Sequence, residues 1–291
     1  MGHTLPIRRI EDRFEGAAGR RLFRRAWLPA EPLRVMLLVH GFGEHSGRYE
    51  EMAVWWAERG FAVHAYDHQG HGESPGPRGH ADRFEDLLDD LEAFIAMVAA
   101  SHVDLSRILV GHSMGGLLVT ALASERAPAI DLLVTSGPAL SISPDLSPLK
   151  MWLARMLGRI WPTLGMNAGL DASAISRDPD VVSRYLDDPL VHGRMTAGLG
   201  AGMLAAVRRS AASAASVRVP MLMLHGEADR LCLPSGSQAF YAGLPHDEVA
   251  GSRIHTYPNL MHEIFNEPER EQVWIDLLAW LDEQGSSRPA A

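Results

Sequence analysis

The sequence predicts an α/β fold in which helices cover both faces of a mostly parallel sheet, with a helical segment inserted late in the chain. Short apolar runs recur at regular spacing, and the stretches between them have helical patterns. Such alternation is typical of parallel sheets. The spacing breaks once, because about eighty residues without a clear strand separate Gly137 from Pro220, which is too long for an ordinary loop.

The strands are predicted from short apolar runs, several of them rich in β-branched residues. These runs are VMLLVHG (35–41), FAVHAYD (61–67), ILVG (108–111), DLLVTSG (131–137), PMLMLHG (220–226) and RIHTYPN (253–259). Arg21 to Trp27 is expected to add an antiparallel edge strand. Leu117 to Ala123 consists mostly of good helix formers, and a final helix is expected from Glu269 to Leu281.

The long interval is interpreted as a helical cap over the carboxyl edge of the sheet, where open α/β sheets keep their sites. We therefore predict a core formed by residues 1–137 and 219–291, with a cap at 138–218. A second helical stretch is expected from Met195 to Ala215.

The first cap helix is expected in LKMWLARMLGRIW (149–161), whose apolar residues follow helical spacing. The favoured interpretation is that this apolar face packs on the domain below. The alternative is a lid that makes transient contact with a membrane or micelle, with Trp152 and Trp161 in the interface and basic residues near anionic head groups.

Composition and charge exclude several classes of protein. A net charge of −9 argues against nucleic acid as a partner, since phosphate binding needs a basic face. The arginines at 20, 21, 24 and 25 are interpreted as a solvated face of a strand. The single cysteine, Cys232, excludes an internal disulfide and fits a reducing compartment. Neither a signal-peptide pattern nor a membrane-spanning run of ~18 apolar residues is found, so a cytoplasmic location is expected.

The segment GHSMG (111–115) joins an apolar strand to a helix and fits G-x-S-x-G. In that pattern the serine lies on a sharp, strained turn with its hydroxyl exposed. Glycines on either side allow the strand and helix to approach closely. Ser113 is therefore a candidate nucleophile, and an ordinary tight turn containing serine is the alternative.

A serine nucleophile needs a base and an acid that orients the base. In hydrolases whose nucleophile lies on such a strand-to-helix turn, called the nucleophile elbow, the acid precedes the histidine in the chain. Asp229 follows the strand PMLMLHG, with Glu227 as a nearby alternative acid. His262 follows the last strand. The competing histidines at 225, 246 and 255 are excluded by their positions. Ser113, Asp229 and His262 therefore follow three successive strands in the required order.

An oxyanion hole is expected from two backbone amides, one following the nucleophile and one after an earlier strand. We assign these to Met114 and to Phe42, which lies in the glycine-rich loop VHGFGEHSGRY (39–49). A plain turn at His40-Gly41 is the alternative.

The segment YDHQGHGES (66–74) brings Asp67, His68 and His71 close in sequence and raises the hypothesis of a metal site. Zinc needs three or four converging ligands, and nothing else in the chain indicates a metal. We therefore favour a hydrogen-bonded loop that braces the sheet edge, and predict no metal. Cys232 is interpreted as a buried apolar residue open to modification, without a catalytic role.

With these motifs in place, the sequence resembles the monoacylglycerol lipase family of α/β-hydrolases. The shared motifs are HGFGEHSGRY, YDHQGHGES, GHSMGG, DPLVHGRM, ADRLC and the late HEI, which extend from about Arg20 to Leu281. The resemblance implies an eight-stranded hydrolase sheet with a helical cap. It also implies hydrolysis of monoacylglycerols to glycerol and fatty acid without a cofactor.

The resemblance carries the same triad and oxyanion amides onto this chain. It also implies a polar pocket for glycerol at Glu44 and Arg48, with Tyr185 reaching down from the cap. The alternative for the first two is a surface ion pair, which contributes little. The chain departs from some members at Phe42, where they have a smaller residue, and at Phe265, where they have histidine.

Three other functions are compatible with parts of this pattern. The same triad suits a general carboxylesterase or a lysophospholipase, and amide cleavage by a peptidase uses the same groups. A serine nucleophile disfavours epoxide hydrolase and dehalogenase chemistry, which use a carboxylate. A non-catalytic binding protein with a hydrolase fold is disfavoured because all three triad candidates and both glycine-rich loops are present.

Overall fold

The structure, a computed structural model, describes residues 6–141, 152 and 156–286. Ten strands are found in the described part. They are β1 (Arg8–Glu15), β2 (Arg21–Leu28), β3 (Arg34–Val39), β4 (Phe61–Tyr66), β5 (Arg107–His112), β6 (Leu132–Ser136), β7 (Gly165–Asn167), β8 (Arg194–Thr196), β9 (Met221–Gly226) and β10 (Arg253–Tyr257). All six strands predicted from apolar runs are confirmed within a few residues.

Seven α-helices that are described in full connect or follow these strands. They are α1 (Glu50–Ala57), α2 (Phe84–Ser101), α3 (Met114–Glu125), α4 (Pro179–Asp187), α5 (Ala197–Ser213), α6 (Pro234–Ala242) and α7 (Arg270–Ser286). Short 3₁₀ helices lie at Ala17–Gly19, Ser46–Tyr49, Ala172–Ala174 and Ala214–Ser216.

The main sheet has eight strands in the order β1-β2-β4-β3-β5-β6-β9-β10. Strands β4, β3, β5, β6, β9 and β10 pair in parallel, whereas β2 is antiparallel to both of its neighbours. The predicted α/β-hydrolase fold with a mostly parallel eight-stranded sheet is confirmed. Because the strands β3, β5, β9 and β10 are parallel, the loops after them meet at one edge of the sheet.

The prediction that Arg21 to Trp27 forms the edge strand was wrong. Strand β2 is antiparallel, as predicted, but β1 covers its outer side. Nearly every position of β1 is exposed or half-buried, so its sequence carries no apolar alternation. The neighbouring arginines are ion-paired rather than simply solvated: Arg24 binds Asp12 and Arg25 binds Glu11, both on β1.

The core forms a layer on each face of the sheet. Successive residues of β3 point to opposite faces, so Leu37 belongs to one layer and Leu38 to the other. Helices α2, α3 and α5 cover the first face, and α1 and α7 cover the second. Full burial of the central strands on both faces explains why they appear in the sequence as continuous apolar runs.

The predicted cap contains more than helices. Strands β7 and β8 form a small antiparallel pair, and α4 lies between them in the chain. Helix α5, within the same interval, packs against α3, and its Leu199, Ala206 and Val207 belong to the core layer of α2 and α3. A parallel connection between β6 and β9 requires such a crossover. The division at 138–218 stays a prediction, but α5 is by its contacts a helix of the sheet.

The expected cap helix at 149–161 lies partly outside the described residues. Residues 156–160 are helical, and Trp152, Met156, Ile160 and Trp161 are exposed. The favoured interpretation, in which this face packs on the domain below, is therefore wrong for these four side chains. Within the described part, no helix combines the length and apolarity needed to cross a bilayer, and the cytoplasmic location stays a prediction.

Candidate active site

The turn between β5 and α3 holds Ser113 in an unusual backbone conformation. Its φ is 54° and its ψ is −117°, a region that residues with a side chain rarely adopt. A Cβ atom on Gly115 would lie 2.2 Å from the carbonyl oxygen of Val39, and one on Gly111 would lie 2.5 Å from the carbonyl oxygen of Gly115. The glycines therefore permit the strand and helix to meet around Ser113, as the sequence predicts.

His262 and Asp229, predicted from two different loops, are brought into contact. Nδ1 of His262 lies 2.7 Å from Oδ2 of Asp229, and both side chains are buried. Because Asp229 is the acceptor, Nδ1 of His262 carries the proton and Nε2 is left with a lone pair. His262 and Ser113 line the same cavity.

The Asp229 carboxylate is fully engaged in hydrogen bonds. Its Oδ1 accepts from the backbone N–H groups of Leu231 and Cys232 at 2.8 and 2.9 Å. Nε2 of His225 lies 3.1 Å from Oδ2. The alternative acid, Glu227, is exposed and accepts from the Thr256 hydroxyl instead. Asp229 is therefore the better-oriented acid.

Burial and charge shift the pKa values of this pair in opposite directions. Burial lowers the pKa of His262, but attraction to Asp229 and then to Glu263 raises it by more, so the net pKa lies above 6.5. Burial raises the pKa of Asp229. Attraction to His262 and the hydrogen bonds that Asp229 accepts lower its pKa by more, so the net pKa lies well below the usual range. Asp229 is thus ionised at neutral pH.

A cavity of about 180 Å³ opens on Ser113. It is lined by Gly41, Phe42, Glu44, His112, Ser113, Ala139, Ser141, Leu170, Ile175, Tyr185, Met195, Met203, Leu231, Cys232, His262 and Glu263. Of the two predicted oxyanion residues, Phe42 lines the cavity. Met114 is the first residue of α3, so its N–H has no partner within the helix.

Glu44 braces the loop that carries Phe42. Its Oε1 accepts from the Gly41 amide at 2.7 Å and from the Tyr49 hydroxyl at 2.8 Å, and its Oε2 accepts from Arg48 at 2.9 Å. A carboxylate offers about four lone-pair positions. Three protein donors therefore leave room for about one further hydroxyl from a ligand.

Arg48 is held between two buried carboxylates. It binds Glu263 through two parallel hydrogen bonds of 2.6 and 2.8 Å, in addition to Glu44, and the Tyr185 ring centre lies 4.8 Å from its guanidinium carbon. The pair of Arg48 and Glu44 is buried, so the alternative of a surface ion pair was wrong. Arg48 lines a neighbouring polar cavity of about 610 Å³, whereas Glu44 and Tyr185 line the cavity of Ser113.

A stack of imidazole rings lies beside the oxyanion loop. His68 is 4.2 Å from His40, and His71 is 4.9 Å from His192, which lies between α4 and β8, measured between ring centres. The backbone N–H of His192 also donates to the Gly43 carbonyl at 2.9 Å. Burial, then repulsion between the rings, lowers the pKa of His40 and His71 well below 6.5. The stack is thus neutral at physiological pH and joins the segment before β8 to the oxyanion loop.

Asp67, His68 and His71, the residues considered as metal ligands, form hydrogen bonds within the protein instead. Asp67 accepts from the backbone N–H groups of Ser46 and Glu73, each at 2.8 Å. A ring nitrogen of His68 contacts the His40 carbonyl, and one of His71 contacts the Gln69 carbonyl. Among residues 6–141, 152 and 156–286 no group of three or more His, Cys, Asp or Glu side chains could hold a metal ion.

Cys232 is buried and lines the cavity of Ser113. Burial raises the pKa of its thiol, and so does the neighbouring Asp229 carboxylate. The thiol is therefore protonated at neutral pH and is a poor nucleophile.

Three residues that surround the predicted triad were not predicted from the sequence. His225 supports Asp229, the ring of His112 lies 4.7 Å from that of His262, and Glu263 holds Arg48. His112 and Glu263 adjoin predicted triad members in the sequence, and His225 is near the end of a predicted strand. Those positions were the only signal that could have identified them.

Comparison with known proteins places this geometry in a family context. The profile of the family described as serine aminopeptidase, S33, matches residues 30–269. A monoacylglycerol lipase of Mycolicibacterium smegmatis is 37% identical over 277 residues, which cover 94% of this chain and 97% of that protein. The monoglyceride lipase of Rattus norvegicus is 31% identical over 270 residues, covering 91% of this chain and 88% of the relative.

A solved structure of similar sequence agrees with the fold. The crystal structure of Paleococcus ferrophilus monoacylglycerol lipase superposes with a TM-score of 0.82 at 37% identity, covering 89% of this chain and 98% of that one.

Proposed function

The chain belongs to the serine aminopeptidase S33 family. Because relatives 37% and 31% identical to it are monoacylglycerol or monoglyceride lipases, we propose that it hydrolyses monoacylglycerols to glycerol and fatty acid. As a family member it is an enzyme with the α/β-hydrolase fold, and its relatives support ester hydrolysis. The finer claim rests on one cavity, which combines Ser113 and His262 with apolar side chains suited to an acyl chain and with carboxylates suited to hydroxyls.

In the proposed mechanism the Oγ of Ser113 attacks the ester carbonyl carbon while Nε2 of His262 takes the hydroxyl proton. His262 thereby becomes an imidazolium, and Asp229 stabilises this positive charge through its 2.7 Å contact with Nδ1. The amides of Phe42 and Met114 donate hydrogen bonds to the developing oxyanion. The glycerol oxygen then leaves with the proton from His262, and Ser113 retains the acyl group.

Water completes the cycle. His262 takes a proton from a water molecule while the water oxygen attacks the acyl carbon. His262 then returns a proton to Ser113 Oγ as the fatty acid leaves. Glu44 and Tyr185 contact the glycerol hydroxyls, while Arg48 acts through its ion pair with Glu44. The side chains of Leu170, Ile175, Met195 and Met203 contact the acyl chain.

The test is turnover of 1-monoacylglycerols of increasing chain length against p-nitrophenyl esters of matched chain length, with the wild type and Ser113→Ala measured side by side. We expect the wild type to prefer monoacylglycerols and the variant to be inactive on both substrates while remaining folded. Cleavage of the activated esters alone would favour a general carboxylesterase. Unchanged turnover by the variant would overturn the assignment of Ser113.

A further inference from the structure

Glu263 is a buried carboxylate next to His262 that lines the cavity of Ser113. Its two oxygens accept from Arg48, and Oε2 also accepts from the Asn266 amide at 2.8 Å. The backbone N–H of Glu263 donates to the Ile175 carbonyl at 2.7 Å. Glu263 is thus fixed by both its side chain and its backbone.

The charge that lines this cavity is negative. Two carboxylates, of Glu44 and Glu263, face it, and among the residues that the structure describes no lysine or arginine side chain lines it. Burial raises the pKa of Glu44 by more than Arg48 lowers it. Burial also raises the pKa of Glu263, but Arg48 lowers it by more, so Glu263 is the more strongly ionised of the two carboxylates and is charged at neutral pH.

Arg48 offsets one of these two charges and leaves the cluster of Glu44, Arg48 and Glu263 with a net negative charge. Arg48 lines the neighbouring polar cavity, and its hydrogen bonds to Glu44 and Glu263 occupy three of its donor positions. Arg48 does not line the cavity of Ser113, so its guanidinium is not in direct contact with a ligand there.

We propose that Glu263 is a specificity-determining residue that makes the cavity accept esters of neutral alcohols and reject the same esters when the alcohol carries a phosphate. This inference rests on the proposed function, because it assumes that the alcohol of the ester lies beside Glu44 and Glu263. A phosphate there meets a buried cluster of net negative charge, where repulsion is only weakly screened.

The experiment compares 1-octanoylglycerol with 1-octanoylglycerol 3-phosphate, both below their aggregation concentrations. The wild type should show a kcat/KM at least roughly tenfold higher for the neutral ester. In Glu263→Gln, which keeps the size of the side chain, we expect that preference to shrink by roughly tenfold because turnover of the phosphate ester rises. A residue that served only the fold would lower both rates together.

Asp187→Asn is the matched control. It removes one carboxylate from an exposed position on α4, the helix that carries Tyr185. The ratio of the two kcat/KM values should stay at its wild-type level in this variant. An unchanged ratio in Glu263→Gln, or an equal change in Asp187→Asn, would overturn the proposal.

A second measurement needs no variant and covers the case in which Glu263→Gln fails to fold. A 1-O-alkylglycerol ether and its phosphate are tested as competitive inhibitors of wild-type cleavage of a p-nitrophenyl ester. We expect the phosphate to bind at least roughly tenfold more weakly, and equal inhibition would overturn the proposal. If neither glycerol ester is hydrolysed while the p-nitrophenyl ester is, the proposed function fails, and the inhibitor pair still decides the charge discrimination.

Discussion

Nδ1 of His262 lies 2.7 Å from Oδ2 of Asp229, although the loop of each follows a different strand of the sheet. Parallel strands β9 and β10 are neighbours, so the loops after them are adjacent. The contact fixes the tautomer of His262 and leaves its Nε2 able to accept a proton.

Replacing Asp229 should therefore impair catalysis far more than binding. We expect Asp229→Asn to lower kcat by roughly 10³- to 10⁴-fold, because an amide favours the wrong imidazole tautomer. Glu227→Gln is the matched control and should leave kcat unchanged, since Glu227 is exposed and binds Thr256. Steady-state kinetics on a soluble ester measure both, and a larger loss in Glu227→Gln would transfer the acid role to that residue.

The pH profile of kcat/KM should have an acid limb with its midpoint above the ordinary histidine pKa of about 6.5. His262 acts as a base only when neutral, and its net pKa is raised above 6.5. Activity should therefore fall as the pH drops through a midpoint above 6.5. Initial rates at constant ionic strength test this, and a midpoint below 6.5 would contradict it.

Stability should decline on mild acidification because several buried histidines resist protonation. Burial lowers the pKa of His68 to about 4 and that of His64 to about 3, and His40 and His71 are lowered as well. Between 6.5 and about 4 the unfolded chain takes up protons that these folded groups do not, so stability falls with pH. Each such histidine lowers the free energy of unfolding by about 1.4 kcal/mol per pH unit.

The raised pKa of His262 has the opposite effect on stability, because the folded protein binds this proton more tightly than the unfolded chain does. This is one group, whereas several histidines have lowered pKa values. Denaturant titrations from neutral pH down to pH 4 measure the decline. His64→Leu removes one titrating group away from the cavity and should make the decline shallower. A free energy of unfolding that stays constant over this range would contradict the neutral histidine stack.

Adding a methyl group to the elbow should disturb both stability and activity. In Gly115→Ala the Cβ would lie 2.2 Å from the Val39 carbonyl oxygen, so β3 or α3 must shift. We expect a loss of about 1–3 kcal/mol in the free energy of unfolding, with reduced kcat because Ser113 moves.

Gly200→Ala is the control for that substitution. Gly200 lies inside α5, where the nearest atom to an added Cβ is the flexible Met195 sulfur at 3.2 Å. Alanine in a helix interior is favoured by roughly 0.5–1 kcal/mol over glycine. We expect this variant to be as stable as the wild type or more so, and equal losses in both variants would contradict the role of close approach at Gly115.

The sequence predicted the central strands well because they are buried on both faces and therefore continuously apolar. It did not predict β1, whose exposed positions carry charges that bind arginines of β2. Strand formation there depends on a partner strand rather than on a hydrophobic face, and single-sequence patterns do not report such pairing.

The residues of the candidate site could be predicted where their position after a strand determines where they lie in the fold. Ser113, Asp229 and His262 each follow a strand, and parallel strands bring their following loops to one edge. Glu263 is different, because its role depends on Arg48, which lies 215 residues away. Neither residue type nor spacing indicates that contact, and only the folded chain brings the two together.

The interval between β6 and α5 begins and ends at the same edge of the sheet, where the carboxyl ends of the parallel strands lie. It follows Ser136 at the carboxyl end of β6, and Thr196, just before α5, donates its N–H to the Gly79 carbonyl in the loop that follows β4. Helix α5 alone then completes the crossover to β9. Because both ends of the interval are fixed at this edge, a change in its length or sequence leaves the order of the strands in the sheet unaltered.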